Sequence, residues 1–448
     1  MVGDALLQAR GCHDAACASP AVEVGPARQV DTTPLPAVGP ALRTGVHRDL
    51  TAVSWEEWRR LLAASGASFF SGPDWLRAVA QHLGGAAPLL VTVRSRGQLL
   101  AVGAFALAGT SRRPVVTFLG SGASDYATVL VGGARVVQGE ALVDAVLDAA
   151  VAALPGALFD LEQVRSDDPL LPDLLSWAQR RGYGLRAVEQ AVCTSVLLPP
   201  TVAEHDEQLP AGVRRGERRQ RRRLAERGSV RLVADLLSGA DLPSLVAELA
   251  AVDDEHPHAE RRHRPWRGAS GALLAQVCAT APREQVWLSG LRVDGELVAY
   301  NLGFAGERVV HGYLQSYRAR YAASGPGSLL LLHLRRRSIA SDRLELDMLR
   351  GEEDYKRRLA PGTVRTRTNV RVTMAPGGRG PLPAVLDRAS LLRRTFRDEV
   401  RASAVLSRCA DGLAAGSQGV ARGVEAALRE GRRLRGAAST LRLSRSAP

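Results

Sequence analysis

Two stretches in the last third of the chain gather residues able to do chemistry. The first runs Tyr321-Ala-Ala-Ser-Gly325-Pro326-Gly327-Ser328 and continues through four leucines to His333. A strand ends, a small-residue loop turns, and an apolar helix is expected over 328–340. Gly325 and Gly327 carry no side chains, so a ligand can come close to the backbone. The first helical turn, from Ser328, offers unpaired N–H groups at the positive end of the helix. That arrangement can cradle phosphate or pyrophosphate, or it is an ordinary turn in which Ser328 caps a helix. It is neither a P-loop nor a GxGxxG turn, because no Gly-Lys-Ser/Thr follows and the glycine spacing differs.

The second stretch is Leu344-Glu-Leu-Asp347-Met-Leu-Arg350-Gly-Glu352-Glu353-Asp354-Tyr355-Lys356-Arg357-Arg358. Alternation puts Leu344, Leu346 and Met348 on one face of a strand and Glu345 and Asp347 on the other. Carboxylates, a phenol and an ammonium thus cluster at the carboxyl end of a strand, where α/β sheets place chemistry. Lys356 is the single lysine among 59 basic residues, and an ammonium does work a guanidinium does not replace. The alternative is a solvated, charged turn.

Other signals are weaker. Asp125 and Tyr126 follow the small-residue loop Gly120-Ser-Gly122-Ala-Ser, which fits acceptor binding or a structural turn. His256, His258 and His263 lie near Glu255 and Glu260, but their spacing matches no standard zinc pattern, so no metal is expected. Trp55, Trp58 and Trp75 sit at helical positions and read as core. Arg214–Arg227 holds eight arginines and two glutamates. Arginines facing all sides suit a solvated helix or phosphate contacts, and without interleaved aromatics base stacking is not expected.

The elements that must position these residues recur. Helices are expected at 54–65 and 73–83, a hairpin from Pro88–Val93 and Gln98–Ala108, and strands Val115–Leu119 and Tyr126–Val131. Helix 139–153, strand 157–164, helix 168–181 and strand Cys193–Leu198 follow. A second series has helices 212–227, 241–254 and 269–280, and a hairpin of 285–293 and 296–304 about Asp294-Gly295. Strand 308–315, the loop and helix, strand 343–349 and a closing strand 364–374 complete it. Two related mixed α/β domains are implied, at 46–200 and 201–376. Residues 1–45, rich in Ala, Pro, Val and Gly, read as a disordered leader, and 377–448 as an Ala/Arg-rich tail.

The 448 residues are 46% hydrophobic and 23% charged, enough for a sizeable core. No 18-residue apolar run lacks a charge, so a spanning helix is not expected. Met1–Val22 lacks the apolar segment of a signal peptide. The formal charge is +13, yet isoleucine occurs once and asparagine twice, at Asn301 and Asn369, while Ala, Gly, Arg and Pro abound. Part of the arginine therefore reflects coding bias. The excess lies in the Arg214–Arg227 helix and in residues 357–448, and the remainder is mildly acidic. Five scattered cysteines without a CxxC pair fit a reducing cytoplasm.

Together, Gly325-Pro-Gly-Ser-Leu-Leu and Leu346-Asp347-Met-Leu-Arg350-Gly-Glu-Glu-Asp-Tyr355-Lys356 resemble the CelD/BcsL-type acetyltransferases of the GNAT superfamily, relatives of the FemAB peptidoglycan transferases. Phe69-Phe-Ser-Gly-Pro-Asp-Trp75-Leu, Phe118-Leu-Gly-Ser-Gly122-Ala-Ser-Asp125-Tyr126 and the basic helix Arg214–Arg227 agree, in the family's order. The resemblance covers about residues 50–375. It implies a tandem GNAT-like fold whose second copy binds acyl-CoA, acetyl-CoA in the simplest case. Pantetheine would lie between splayed strands 308–315 and 343–349, and pyrophosphate on the backbone of Gly325, Gly327, Ser328 and Leu329. Asp347 or Glu352 would serve as base or acceptor-orienting group, and Tyr355 as donor to the departing thiolate. Arg350 and Lys356 would hold anionic groups or, for Lys356, the oxyanion. Asp125 and Tyr126 would face the acceptor, a sugar, a cell-envelope polysaccharide precursor or a small amine. Two alternatives stay open: a FemAB-like transferase using aminoacyl-tRNA, and a non-catalytic scaffold binding an anionic polymer through its tail. The tail is also a candidate for contact with an anionic surface.

Overall fold

The computed structural model describes residues 42–83, 87–110, 113–133, 135–259, 264–351, 356 and 364–377. The first series of elements is β1 (Arg43–His47), α1 (Trp55–Ser65), α2 (Pro73–His82), β2 (Ala87–Ser95), β3 (Gln98–Thr110), β4 (Arg113–Phe118), β5 (Leu130–Val131), α3 (Arg135–Ala153), β6 (Leu158–Arg165), α4 (Leu170–Arg180) and β7 (Tyr183–Leu197). Two connecting helices follow, α5 (Val202–Gln208) and α6 (Ala211–Ala225). The order then recurs as β8 (Val230–Val233), α7 (Leu242–Asp254), α8 (Gly268–Thr280), β9 (Val286–Val293), β10 (Glu296–Ala305), β11 (Val309–Tyr317), α9 (Pro326–Ala340), β12 (Glu345–Arg350) and β13 (Val364–Pro376).

Local chemistry explains several boundaries. Ser54 Oγ accepts the Glu57 N–H at the start of α1, and Gly66 ends that helix in the left-handed conformation. Both tight hairpins place two residues at positive φ, Arg96-Gly97 and Asp294-Gly295, as a type I′ turn requires. α9 begins at Pro326, two residues before the expected start, with Gly325 as N-cap at φ 58. Ser328 is therefore inside the helix rather than its cap, because proline at the first helical position sets φ and has no N–H to lose.

The described strands form one mixed sheet in the order β1-β2-β3-β4-β6-β13-β7-β12-β11-β10-β9-β8, with β5 beside β3. Within each copy a hairpin leads to a third antiparallel strand, a crossover helix and a parallel strand. β4 runs parallel to β6, and β11 parallel to β12. The closing strands are exchanged: β13 of the second copy pairs with β6 of the first, and β7 of the first pairs with β12 of the second. The fold is thus mixed α/β, built from two halves with the same order of elements on one sheet. α1, α2, α7 and α8 share one apolar core that runs across both copies. α3 and α4 cover the first copy's other face, and α9 lies over the second copy's other face.

Several elements differ from expectation. β1, β8 and α5 carry too little apolar periodicity to stand out. β7 extends ten residues further back than expected, through a stretch that is mostly half-exposed. The strand expected over 126–131 shrinks to Leu130–Val131, because Ala127 N–H bonds to Gln163 O instead of to β3.

Candidate active site

β11 and β12 pair for three residues, Val309–His311 against Glu345–Asp347, and then part. A bulge helps them do so. Leu302 faces Leu314 and Gly303 faces Gly312, so Tyr313 is the extra residue on β11. A bulge leaves one residue out of the ladder and bends its strand. The gap opens into a cleft of about 830 Å³ lined by Gly312 to Gln315 of β11, Met348 to Arg350 of β12, and Leu331 and Leu334 of α9. Its far wall belongs to the first copy and α8, and includes Trp75, Gly120 to Ala123, Asp125 and Leu274.

The first copy's parallel pair does not open in this way. β4 and β6 also pair for three residues, but the loop after β4 returns to the end of β6, where Ala127 N–H bonds to Gln163 O at 3.0 Å. The same loop forms the cleft wall. Trp75 Nε1 donates to Ser124 Oγ at 2.9 Å, and Gly120 adopts φ 92 where a Cβ would lie 2.5 Å from that oxygen. Trp75, Phe69 and Phe70 in turn pack on Phe304 of the second copy, the Phe69 and Phe304 rings stacking at 4.4 Å. The aromatic segment Phe69–Trp75 is therefore the wedge between copies that sets the loop.

That loop delivers two side chains to β12. Asp125 forms an ion pair with Arg350, and both line the cleft. Burial alone would depress the Arg350 guanidinium's pKa, but the Asp125 carboxylate outweighs this and raises it. Tyr126 Oη donates to Asp347 Oδ2 at 2.8 Å. Asp347 is only 1% exposed and does not line the cleft. Its other oxygen accepts the Leu349 N–H at 2.8 Å. Burial pushes its carboxyl above the usual range, although that hydrogen bond, Tyr126 and the Arg367 and Arg165 guanidiniums oppose this. Burial, and then the Asp347 charge, push the Tyr126 phenol upward as well. Behind Asp347, Arg367 of β13 pairs with Glu345 and Asp167 and donates to Ser195 Oγ at 2.7 Å.

Lys356 is buried, and its Nζ donates to the carbonyls of Leu349, Arg350 and Gly351 at 3.4, 2.7 and 3.3 Å. Leu349 has φ 57 there and Gly351 φ 117, so the ammonium holds the left-handed turn that ends β12. Lys356 also borders the cleft. Glu352 and Tyr355 lie outside the described residues.

Gly325, Gly327, Ser328 and Leu329 form the start of α9, where the Ser328 and Leu329 N–H groups turn back to Gly325 O at 3.1 and 3.3 Å. The space beside the two glycines is occupied from within the protein. A Cβ on Gly325 would fall 2.3 Å from Gln220 Nε2 of α6, and one on Gly327 would fall 2.4 Å from Gln315 Nε2 of β11. α6 also grips the loop before α9 through Arg223, which donates to Ala323 O at 2.9 Å, and through Arg227, which donates to Arg320 O. Its Glu217 takes a bidentate bond from Arg336 of α9. One face of the basic helix is thus a brace for the glycine loop.

The structure brings Asp125, Tyr126, Asp347, Arg350 and Lys356 together; Gly325, Gly327, Ser328 and Leu329 do not line the cleft, but Gly327 lies against Gln315, which does. Sequence reading passed over Asn301, Asn369 and Gln315. Asn369 donates to Asp125 O and Gln163 Oε1 at 2.8 and 2.7 Å, and Asn301 lines the cleft. A signal existed, since the chain's two asparagines both sit here. No set of three His, Cys, Asp or Glu side chains among the described residues could hold a metal, and Glu260 and His263 lie outside them. Among the described residues, no helix is long and apolar enough to cross a membrane.

Residues 211–357 match the family model described as an acetyltransferase (GNAT) domain. A comparison with curated proteins gives no match. Among solved structures, FemX is similar at 10% identity over 71% of this chain and 96% of its own, with a TM-score of 0.50. A tandem GNAT protein from the clavulanic acid biosynthesis pathway is 14% identical over 76% of this chain and 100% of its own, with a TM-score of 0.41. At such identities the FemX likeness is one of fold. Residues 211–357 thus carry a GNAT acetyltransferase domain, and the protein is an acyltransferase.

Proposed function

We propose that the protein transfers an acyl group, acetyl in the simplest case, from coenzyme A to an amine or hydroxyl of a sugar, a cell-envelope polysaccharide precursor or a small amine. The observation that carries this reading is the parting of β11 from β12 into a cleft that α9 and the Asp125–Arg350 pair both line. The motif order supports a CelD/BcsL-type enzyme.

In this reading the thioester arm lies in the gap, and the pyrophosphate meets the backbone of Gly325, Gly327, Ser328 and Leu329 once the Gln220 and Gln315 side chains move aside, sharing the Ser328 and Leu329 N–H groups with Gly325 O. Asp125 accepts a hydrogen bond from the acceptor's amine or hydroxyl and orients it, with Arg350 fixing the carboxylate. The acceptor attacks the thioester carbonyl, a C–N or C–O bond forms, the C–S bond breaks, and the acceptor's proton passes to the departing thiolate, so that coenzyme A leaves as the thiol. In this reading a backbone N–H at the Tyr313 bulge stabilises the oxyanion. Asp347, buried behind β12, acts through Tyr126 by holding the loop that carries Asp125. Lys356 shapes the turn that carries Arg350.

The test is thiol release by the full chain with acetyl-CoA and a panel of amino sugars, sugars and amines. The reading fails if no acceptor elicits release and acetyl-CoA does not bind. A second reading, an aminoacyl-tRNA donor, is favoured by the exposed Arg215, Arg218 and Arg219 on α6, the helix that braces the glycine loop through Gln220 and Arg223. It predicts that charged tRNA binds where acetyl-CoA does not.

A further inference from the structure

The sheet face beneath α9 is apolar except for one row. Trp287, Ala305 and Val310 cluster with Leu331 and Leu334 on one side. Leu291, Val293 and Ala299 cluster with Leu329 and Leu330 on the other. Between them run Ser289 of β9, Asn301 of β10 and Gln315 of β11, paired in register across three strands.

Ser289 is fully buried and Asn301 is 3% exposed, and neither Ser289 Oγ nor Asn301 Oδ1 has a hydrogen-bond partner. Among the described residues the Asn301 carboxamide makes no hydrogen bond at all, yet it lines the cleft beside Gln315. A desolvated, unpaired carboxamide lowers stability, and an apolar side chain of the same size would not. Its polar atoms therefore face a group supplied from the cleft. A carboxamide can accept from an N–H or donate to a C=O, and a trans secondary amide offers one of each on opposite sides, so Asn301 can make one hydrogen bond to such a group.

We propose that Asn301 is a binding residue for a secondary amide in the acyl donor's arm. This rests on the acyl-CoA reading, because pantetheine carries two such amides. An aminoacyl group esterified to ribose carries none, so the same residue sets donor class.

The experiment uses the full chain and its Asn301→Leu and Asn301→Ser variants, titrated calorimetrically with acetyl-CoA and with adenosine 3′,5′-bisphosphate, which has the nucleotide but no arm. Both variants should bind acetyl-CoA about tenfold more weakly, the value of one hydrogen bond, and bind the bisphosphate as the wild type does. The unliganded Asn301→Leu variant should melt at or above the wild-type temperature, as expected for removal of an unpaired polar group. Unchanged acetyl-CoA affinity in both variants overturns the proposal, as does an equal loss for both ligands. Loss of a cooperative melt in both variants assigns Asn301 to packing and also overturns it. If the wild type binds neither ligand, the acyl-CoA reading falls and this inference falls with it. If the wild type binds both and the variants match it, only this inference falls.

Discussion

Tyr126 Oη lies 2.8 Å from Asp347 Oδ2, joining residues 221 positions apart on different copies of the repeat. Its neighbour Asp125 pairs with Arg350 on the same strand. Two adjacent loop residues thus hold one strand end, and the cleft exists only when both copies are in place. Tyr126→Phe removes a hydrogen bond to a buried carboxyl and should cost about 1–3 kcal/mol of unfolding free energy. It should also lower kcat/KM, because Asp125 loses its support. Urea unfolding and steady-state thiol release measure the two effects, and an unchanged urea midpoint would contradict the structural part.

In the proposed reading the Asp125–Arg350 pair faces the acceptor. Asp125→Asn and Arg350→Lys should each reduce kcat/KM on the order of 10²-fold, the second because an ammonium cannot reproduce the guanidinium fork. The double variant should lose much less than the sum of the two. Additive losses would mean that the two side chains act separately.

Stability should depend on pH in a way traceable to His311. Burial holds its imidazole down at about 4 from the ordinary 6.5. The unfolded chain therefore takes up a proton between pH 6.5 and pH 4 that the folded chain does not. This contribution is complete above pH 6.5 and is lost as pH falls through 4, amounting to roughly 3 kcal/mol. His311→Gln should flatten the fall. Asp347 acts in the opposite direction, since its raised carboxyl favours the fold below the ordinary value of 3.8 and this is lost as pH rises. Asp347→Asn should therefore look least damaging at the higher pH values. Urea midpoints from pH 4 to pH 8 test both signs.

One donor should bind per chain. The second copy's gap is open, whereas the first copy's is closed by its own loop through Ala127 N–H and Gln163 O. Calorimetry should give a stoichiometry near one, and a value near two would show that the first gap opens.

Much of this was legible in the sequence, for reasons that also mark where reading stopped. The turn Asp294-Gly295 announced its hairpin because positive φ favours such residues, whereas Arg96 adopts φ 48 against its type and only Gly97 marked the first turn. Alternation correctly put Glu345 and Asp347 on one face of β12. It could not tell that Tyr126 and Arg367 would cover that face, since both come from distant segments that the strand exchange brings beside β12. The glycine loop was found, but Gly325 and Gly327 make room for Gln220 and Gln315 as well as for any ligand. Close approach of two helices leaves no local pattern. The eight arginines of the basic helix obscured Gln220 and Arg223, which dock it on that loop.

The central claim is that the gap between β11 and β12 takes acyl-CoA. Thermal unfolding of the full chain with and without acetyl-CoA tests it most directly, with ATP as control. At 100 times its dissociation constant the ligand should add about 2.7 kcal/mol, a clear rise in melting temperature that ATP does not reproduce. A melt unmoved by millimolar acetyl-CoA and free CoA alike would contradict the account.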